Sequence, residues 1–291
     1  MTKYLGQKYI EAGMKGIFLV SAMSSILFVL LICLFLFLNG LPFILHAGLF
    51  EFVLGDRWAP LNIPQAFGIF TMIVTSFYIT LGAVLIGVPM GIFTAIFMAY
   101  MCPKGLYKLL KPAVNLLAGI PSVVYGFFGM VVVVPLIRQL FGGSGFSVLA
   151  ASSLLGIMIL PTIIGVSEAA LRAVPDSYLE GSRALGASKI HSLFFVVLPA
   201  ARSGIMASVV LGIGRAIGET MAVVMVAGNQ PRIPSSPLQG ARSLTANIVL
   251  EMAYAADTHR DALISTALVL FVLILGLNLL FSFTIRRGTN G

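Results

Sequence analysis

Charge is scarce in this sequence. Of its 291 residues only 10% are Asp, Glu, Lys or Arg, where a soluble domain carries about 25%. A globule of this length needs a polar skin that such a composition cannot supply, so a soluble enzyme is excluded. With 59% apolar residues, a disordered chain is excluded as well. Cysteine is nearly missing. Cys33 and Cys102 are the only two, lie in or beside apolar runs, lack CxxC spacing, and read as buried small hydrophobes rather than metal ligands or a disulfide. The three histidines, His46, His191 and His259, are scattered over loops on both sides of the apolar runs and form no single metal site. No G-x-x-x-x-G-K-[ST] occurs, so the chain has no phosphate-cradling loop of its own. The apolar runs carry no paired carboxylates, no HExxH and no Ser/His dyad, which leaves an intramembrane enzyme without its chemistry. The formal charge of +8 comes with no basic patch interleaved with exposed aromatics, so nucleic acid is not the expected partner.

Long uncharged runs are what the sequence has in abundance, and its mean hydropathy is +1.04. A spanning helix needs about 20 apolar residues. Six spans fit: 16–39, within 67–101, within 112–137, and about 146–166, 204–227 and 262–283. The expected fold is therefore an all-α integral membrane protein with six transmembrane helices in contact with lipid. Lys3, Lys8 and Lys15 precede the first run, which is longer than a signal-peptide core and is followed by no small-x-small site, so it reads as an uncleaved helix. Twelve Lys and Arg fall on the side of the termini and of the segment 168–202, and four on the other, so both termini are expected in the cytoplasm. The organisation expected is 1–66 for the N-terminus, first helix and an external segment, 67–285 for a five-helix core, and 286–291 for a cytoplasmic tail. Two loops, 40–66 and 228–261, face outward. Trp58 in the first suits an interface anchor, and Pro231, Pro234 and Pro237 open the second. The run Gly142-Gly143-Ser144-Gly145 turns the chain between the third and fourth spans.

The segment 168–202 is the longest polar stretch on the cytoplasmic side. Pro175 ends a helix that begins near Glu168, and Ser177 with Glu180 forms a capping box. A short helix over 178–185 is closed by Gly186 in the left-handed conformation. Ser188 then caps a second helix that Pro199 bends. Glu180-Gly181-Ser182, Gly186, Val196, Leu198 and Pro199 follow the pattern E-A-A, three residues, Gly, nine residues, I-x-L-P. This segment resembles the EAA loop of ABC importer permeases, with Gly181-Ser182 in place of Ala-Ala and Val196 in place of Ile. By that resemblance, Glu180, Gly181, Ser182, Arg183 and Gly186 dock a cytoplasmic ATPase. ATP and Mg are then held by that partner, and this chain carries no cofactor.

Arg215 and Glu219 are the only charges in the fifth span. At four residues' separation they share one helix face. A charge at a helix centre costs about 2.5–3.5 kcal/mol and faces a bundle interior or a watery path. Two readings stand side by side: an ion pair that locks helix packing, and an anion path in which the guanidinium fork takes oxyanion oxygens two at a time. Thr220 is a candidate donor to the same anion. Gly214 and Gly218 form a small-xxx-small pair open to another helix. Pro89 and Pro121 are candidate kinks, and Asn115 and Ser122 are polar groups expected to line the path or bond a neighbouring helix.

The stretch Gly214-Arg215-Ala216-Ile217-Gly218-Glu219-Thr220-Met221-Ala222 resembles the GRAxGETMA signature of bacterial phosphate ABC importer permeases. Pro121-Ser122-Val123-Val124-Tyr125-Gly126 and Ser243-Leu244-Thr245-Ala246-Asn247-Ile248 resemble them too. The run 221–229 looks like the PstC type rather than the PstA type. The resemblance implies a type I importer permease in the bacterial inner membrane. It implies a heterodimer with a PstA-type permease, two ATPase subunits and an external phosphate-binding protein. A permease for another oxyanion, molybdate or sulfate, remains the alternative. An ion-coupled secondary transporter, in which the Arg215–Glu219 pair is a relay, is the more distant one.

Overall fold

The computed structural model describes the backbone of residues 2–289; Met1, Asn290 and Gly291, and the side chains of residues 2–10, 12, 282 and 284–289, Lys3, Lys8, Arg286 and Arg287 among them, lie outside the described residues. The chain opens with α1 (Thr2–Ala47) and α2 (Leu49–Leu54), followed by a two-strand hairpin of β1 (Trp58–Ala59) and β2 (Ala66–Phe67). The core helices are α3 (Phe70–Ile96), α4 (Lys104–Gly119), α5 (Ser122–Phe128), α6 (Val134–Phe141) and α7 (Val148–Arg172). A polar segment holds α8 (Asp176–Ala184), α9 (Lys189–Ser192) and α10 (Leu198–Ala200), and the chain ends with α11 (Arg202–Gly218), α12 (Met221–Val226), α13 (Leu244–Glu251) and α14 (Asp257–Thr289). Single π-helical turns extend α3 over Phe97–Met101, join α5 to α6 over Gly129–Val133, and join α9 to α10 over Leu193–Val197.

Five segments among the described residues are long and apolar enough to cross a bilayer: Gly13–Ala47, Phe70–Met101, Ser122–Phe141, Val148–Arg172 and Asp257–Phe281. A sixth is reached when Lys189–Ala200 and Arg202–Gly218, bent by 72°, are taken together. Of the six expected spans, the first, second, fourth and sixth are present, and the third and fifth need correction. The third does not run through from 112. Pro121 interrupts it, and the preceding residues form α4, a separate helix with one apolar face. A proline removes a backbone donor and disfavours the α conformation of the residue before it, and Ile120 is extended, with φ −69° and ψ 127°. The fifth is broken at Glu219, as described below. By contrast, α3 runs through Pro89 without interruption.

α7 is the central helix, with 67% of its most apolar window buried, and α1 the peripheral one, with none. The cause is side-chain size. Along α3, Gly87 and Gly91 face Gly156, Ile159 and Ile163 of α7; a Cβ on Gly87 would lie 2.7 Å from the Gly156 carbonyl. Without a hydrophobic driving force between helices in lipid, such close backbone approach is what holds them. α11 packs on the same helix through Gly212 against Ile163 and a Ser167–Ser208 hydroxyl pair at 2.7 Å. α1 touches the bundle mainly at its end, where Ser265 of α14 donates to the Gly40 carbonyl at 2.8 Å. The glycines at 142, 143 and 145 all have positive φ and turn the chain into α7, as expected. Cys33 and Cys102 are free and only half-buried, a correction to their expected burial.

Candidate functional site

The fifth span stops being a helix at its charged residue. α11 ends at Gly218, Glu219 is extended (φ −71°, ψ 133°), and Thr220 (φ −120°, ψ −61°) precedes α12. Glycine is a poor helix former, and the two polar side chains after it offer the backbone alternative partners. The Glu219 carboxylate accepts from the Ala222 N–H at 3.2 Å, capping α12. The Thr220 hydroxyl donates to the Gly218 carbonyl at 3.3 Å, and the Thr245 hydroxyl to the Glu219 carbonyl at 3.1 Å. Arg215 and Glu219 therefore do not share a helix face, and no ion pair joins them among the described residues. Arg215 instead donates from Nη1 to the Thr162 hydroxyl of α7 at 3.3 Å. Both charged side chains are half-buried. Unwound backbone at membrane depth is tolerated where protein buries it or where it lines a cavity.

Three stretches far apart in the sequence meet at this break. Tyr125 and Gly126 of α5 lie against α12, and a Cβ on Gly126 would sit 3.1 Å from the Ala222 Cα, so only glycine lets the two helices approach this closely. Ser243 caps α13 by accepting from the Ala246 N–H at 3.2 Å and shares a hydrogen bond with Thr245 at 3.0 Å. Ser76, Thr80, Glu219, Ser243 and Thr245 line a small polar crevice between α3, the break and α13. Arg215, Glu219, Thr220 and Ser122 thus belong to elements grouped around the break. Asn115 does not: it is exposed on α4, outside the third span. Pro121 is the residue immediately before α5, and Pro89 lies on the outer surface of α3. Chemically, Arg215 spends one N–H on Thr162, and its remaining donors keep the planar fork that matches an oxyanion.

At the end of α7 that leads into the polar segment, α8 buries none of its residues. Glu180, Gly181 and Arg183 are exposed, and so is Leu185, at 92%. Gly186 has φ +91° and Ser188 caps α9 by accepting from the His191 N–H at 3.3 Å, both as expected. The expected capping box is absent: α8 starts two residues earlier, with Pro175 in the cap position and no side-chain cap. The Ser192 hydroxyl reaches Ser182 at 3.0 Å and Lys189 donates to the Tyr100 carbonyl at 2.7 Å, tying this segment together and to the end of the α3 helix.

Two buried carboxylates escaped the sequence reading. Glu168, expected near the start of a cytoplasmic helix, lies instead inside α7, which runs on to Arg172, and is 1% exposed. Its spacing of four from Arg172 was the available signal. Glu251, at the other end of the bundle, accepts from Trp58 Nε1 at 2.9 Å and Arg242 Nη1 at 2.5 Å, and pairs with His259 Nε2 at 2.8 Å. Trp58 is accordingly buried in this cluster and is not an interface anchor. Nothing in the sequence links it to a partner 193 residues away.

Residues 87–287 match the family described as "Binding-protein-dependent transport system inner membrane component". The relative named "Probable ABC transporter permease protein YqgH" of Bacillus subtilis (strain 168) is 42% identical over 83% of this chain and 80% of its own length. The "Phosphate transport system permease protein PstC" of Haemophilus influenzae is 32% identical over 93% of this chain and 91% of its own. Among solved structures, the inward-facing MetNI methionine ABC transporter superposes with a TM-score of 0.57 at 20% identity, over 76% of this chain and 94% of that one. At that identity the likeness speaks for the fold. With the family matched over most of its length and relatives of this identity, the chain belongs to the binding-protein-dependent ABC importer permeases: a multi-pass inner-membrane transport subunit, not an enzyme.

Proposed function

We propose that this chain is a permease subunit of an ATP-driven importer of inorganic phosphate, paired with a second, PstA-type permease. Two cytoplasmic ATPase subunits dock on α8 and the Gly186 turn, with both termini on their side, and an external phosphate-binding protein delivers the solute. The observation that carries this reading is the Arg215 fork held next to the unwound Glu219–Thr220 segment. Broken membrane helices mark solute sites because their free backbone groups and half-helix ends complement charge. Relatives named as phosphate permeases support phosphate as the oxyanion. So does the chemistry of Glu219. A carboxylate repels an anion unless that anion carries a proton to donate to it, which phosphate does near neutral pH and sulfate and molybdate do not.

The test is phosphate uptake into vesicles carrying the purified complex. Wild-type uptake requires ATP and the binding protein and is not competed by sulfate. Arg215→Gln assembles normally and takes up no phosphate. Normal uptake by that variant removes the path from Arg215, and preference for sulfate or molybdate over phosphate reassigns the substrate.

A further inference from the structure

We propose that the buried carboxylate of Glu168 is the joint through which movement of the docking helix reaches the broken span, a role that rests on the importer reading above. Glu168 accepts from the Tyr107 hydroxyl at 2.8 Å, Lys111 Nζ at 2.7 Å and Arg172 Nε at 2.9 Å. Tyr107 and Lys111 stand on α4, and Arg172 on the last turn of α7. The Arg172 guanidinium also lies 4.9 Å from the centre of the Tyr107 ring and donates to the Met98 carbonyl at 3.0 Å. Glu168 thus binds α4 to the end of α7, and Arg172 adds the end of α3. Apolar packing of the same volume stabilises a bundle as well as a buried ion cluster does, so stability alone does not account for these charges. What the cluster supplies is a short, directional tie.

The tie lies between the dock and the site. Only residues 173–175 separate Arg172 from α8. On the other side, α4 has Val114 as its single buried residue, packed with Met98 and Ile164 and flanked by half-buried Tyr107 and Leu110, and Glu168 supplies its ion-paired tie to α7. The far end of α4 offers the Leu117 carbonyl to the Tyr125 hydroxyl at 2.9 Å. The next residue, Gly126, is seated on Ala222, where α12 begins after the break. Displacement of α8 by an ATPase pulls on the end of α7. Through Glu168 it carries α4 and then α5 with it, and so moves the wall of the break. Glu168, Lys111 and Tyr107 are positioning residues that touch no solute.

The test uses the complete complex in proteoliposomes and reads ATP hydrolysed per phosphate imported. Glu168→Gln is expected to lower uptake about tenfold while ATP hydrolysis stimulated by the binding protein stays within about twofold. Lys111→Met moves the ratio in the same direction, and the double variant is no worse than either single one. If uptake and hydrolysis fall together, or neither changes, the cluster is structural and the proposal is overturned. If Glu168→Gln fails to assemble, Tyr107→Phe, which removes one hydroxyl, is read in the same way. A second measurement does not depend on the solute. Spin labels at Leu116 of α4 and Leu275 of α14, both exposed, are placed in a background with Cys33 and Cys102 changed to Ser. Trapping with ATP and vanadate shifts their separation in the otherwise unmodified protein, and Glu168→Gln loses the shift. A full shift in the variant, or none in the reference, overturns the joint. Lack of phosphate uptake by the wild-type complex instead overturns the substrate reading and leaves the label result to decide this one.

Discussion

Arg215 faces a sharper demand than its charge alone would impose. It is anchored through a single N–H to Thr162, so its remaining donors are aimed as a plane. An ammonium presents a point charge with no such fork. Arg215→Lys is therefore expected to keep the complex assembled but to lose at least about tenfold in phosphate uptake, a loss that excess external phosphate does not restore; uptake equal to wild type would show that charge alone suffices. In the Glu251 cluster, Trp58→Phe keeps an aromatic ring but a smaller one, and removes one donor to Glu251, leaving Arg242 and His259 in place. The expected cost is about 1–3 kcal/mol, seen as a lower midpoint of thermal inactivation in detergent, with transport by the surviving complex unchanged. These two residues mark how far single positions were legible. Arg215 declared itself because a guanidinium in an uncharged run is expensive. Trp58 misled because an indole is equally at home at a membrane interface and beside a buried carboxylate, and its partner Glu251 is distant in sequence. Glu219 was found for the right reason but given the wrong neighbour. The spacing of four counted along a helix that ends one residue before it.

The helices themselves were readable where apolar length alone decides, as in α1, α3, α7 and α14, and the Gly186 turn was readable because only a residue without a side chain adopts φ +91° at no cost. Gly186→Ala is expected to strain the turn by about 1–3 kcal/mol and to reorient α8, weakening co-purification of the ATPase while the membrane bundle stays folded. Retention of the ATPase at wild-type level would detach the turn from docking. The breaks were not readable. Hydropathy stays high beyond Pro121 and again from Met221, and the short polar interruption at Glu219 and Thr220 does not by itself say whether the backbone is one helix or two. Pro121 and the Gly218-Glu219-Thr220 stretch break these spans locally, and packing between elements then fixes the halves: α5 comes close to α12 at position 126, where a Cβ would stand 3.1 Å from the Ala222 Cα. Gly126→Val should push the two apart, at about 1–3 kcal/mol for overpacking, and lower uptake more than it lowers the amount of assembled complex. If uptake and complex fell in proportion, the close approach would serve assembly only.

At the scale of the whole molecule, the proposed path would need a second wall, and one face of α11 offers a place for it. Gly212 meets Ile163 of α7, yet Gly214 and Gly218, on either side of Arg215, would meet nothing within 4 Å if they carried a Cβ. Their glycines are unused within this chain, although helix packing in lipid depends on such small residues. Their side of α11 also carries Leu211, 54% exposed, in a span whose two charges cannot be left to hydrocarbon. On the proposed reading, the second permease subunit would lay a helix along Gly214 and Gly218 and close the space in front of Arg215. A bulky side chain there meets nothing in this chain and so should not disturb its own fold, but it stands where the other backbone must come. Gly218→Leu is thus expected to leave the purified chain with an unchanged thermal midpoint while the amount of second permease recovered with it falls about tenfold, equivalent to about 1.4 kcal/mol at the interface. Equal recovery of the partner would mean that the pairing surface lies elsewhere, for which the apolar length of α1, unburied throughout its most apolar window, is then the next surface to substitute.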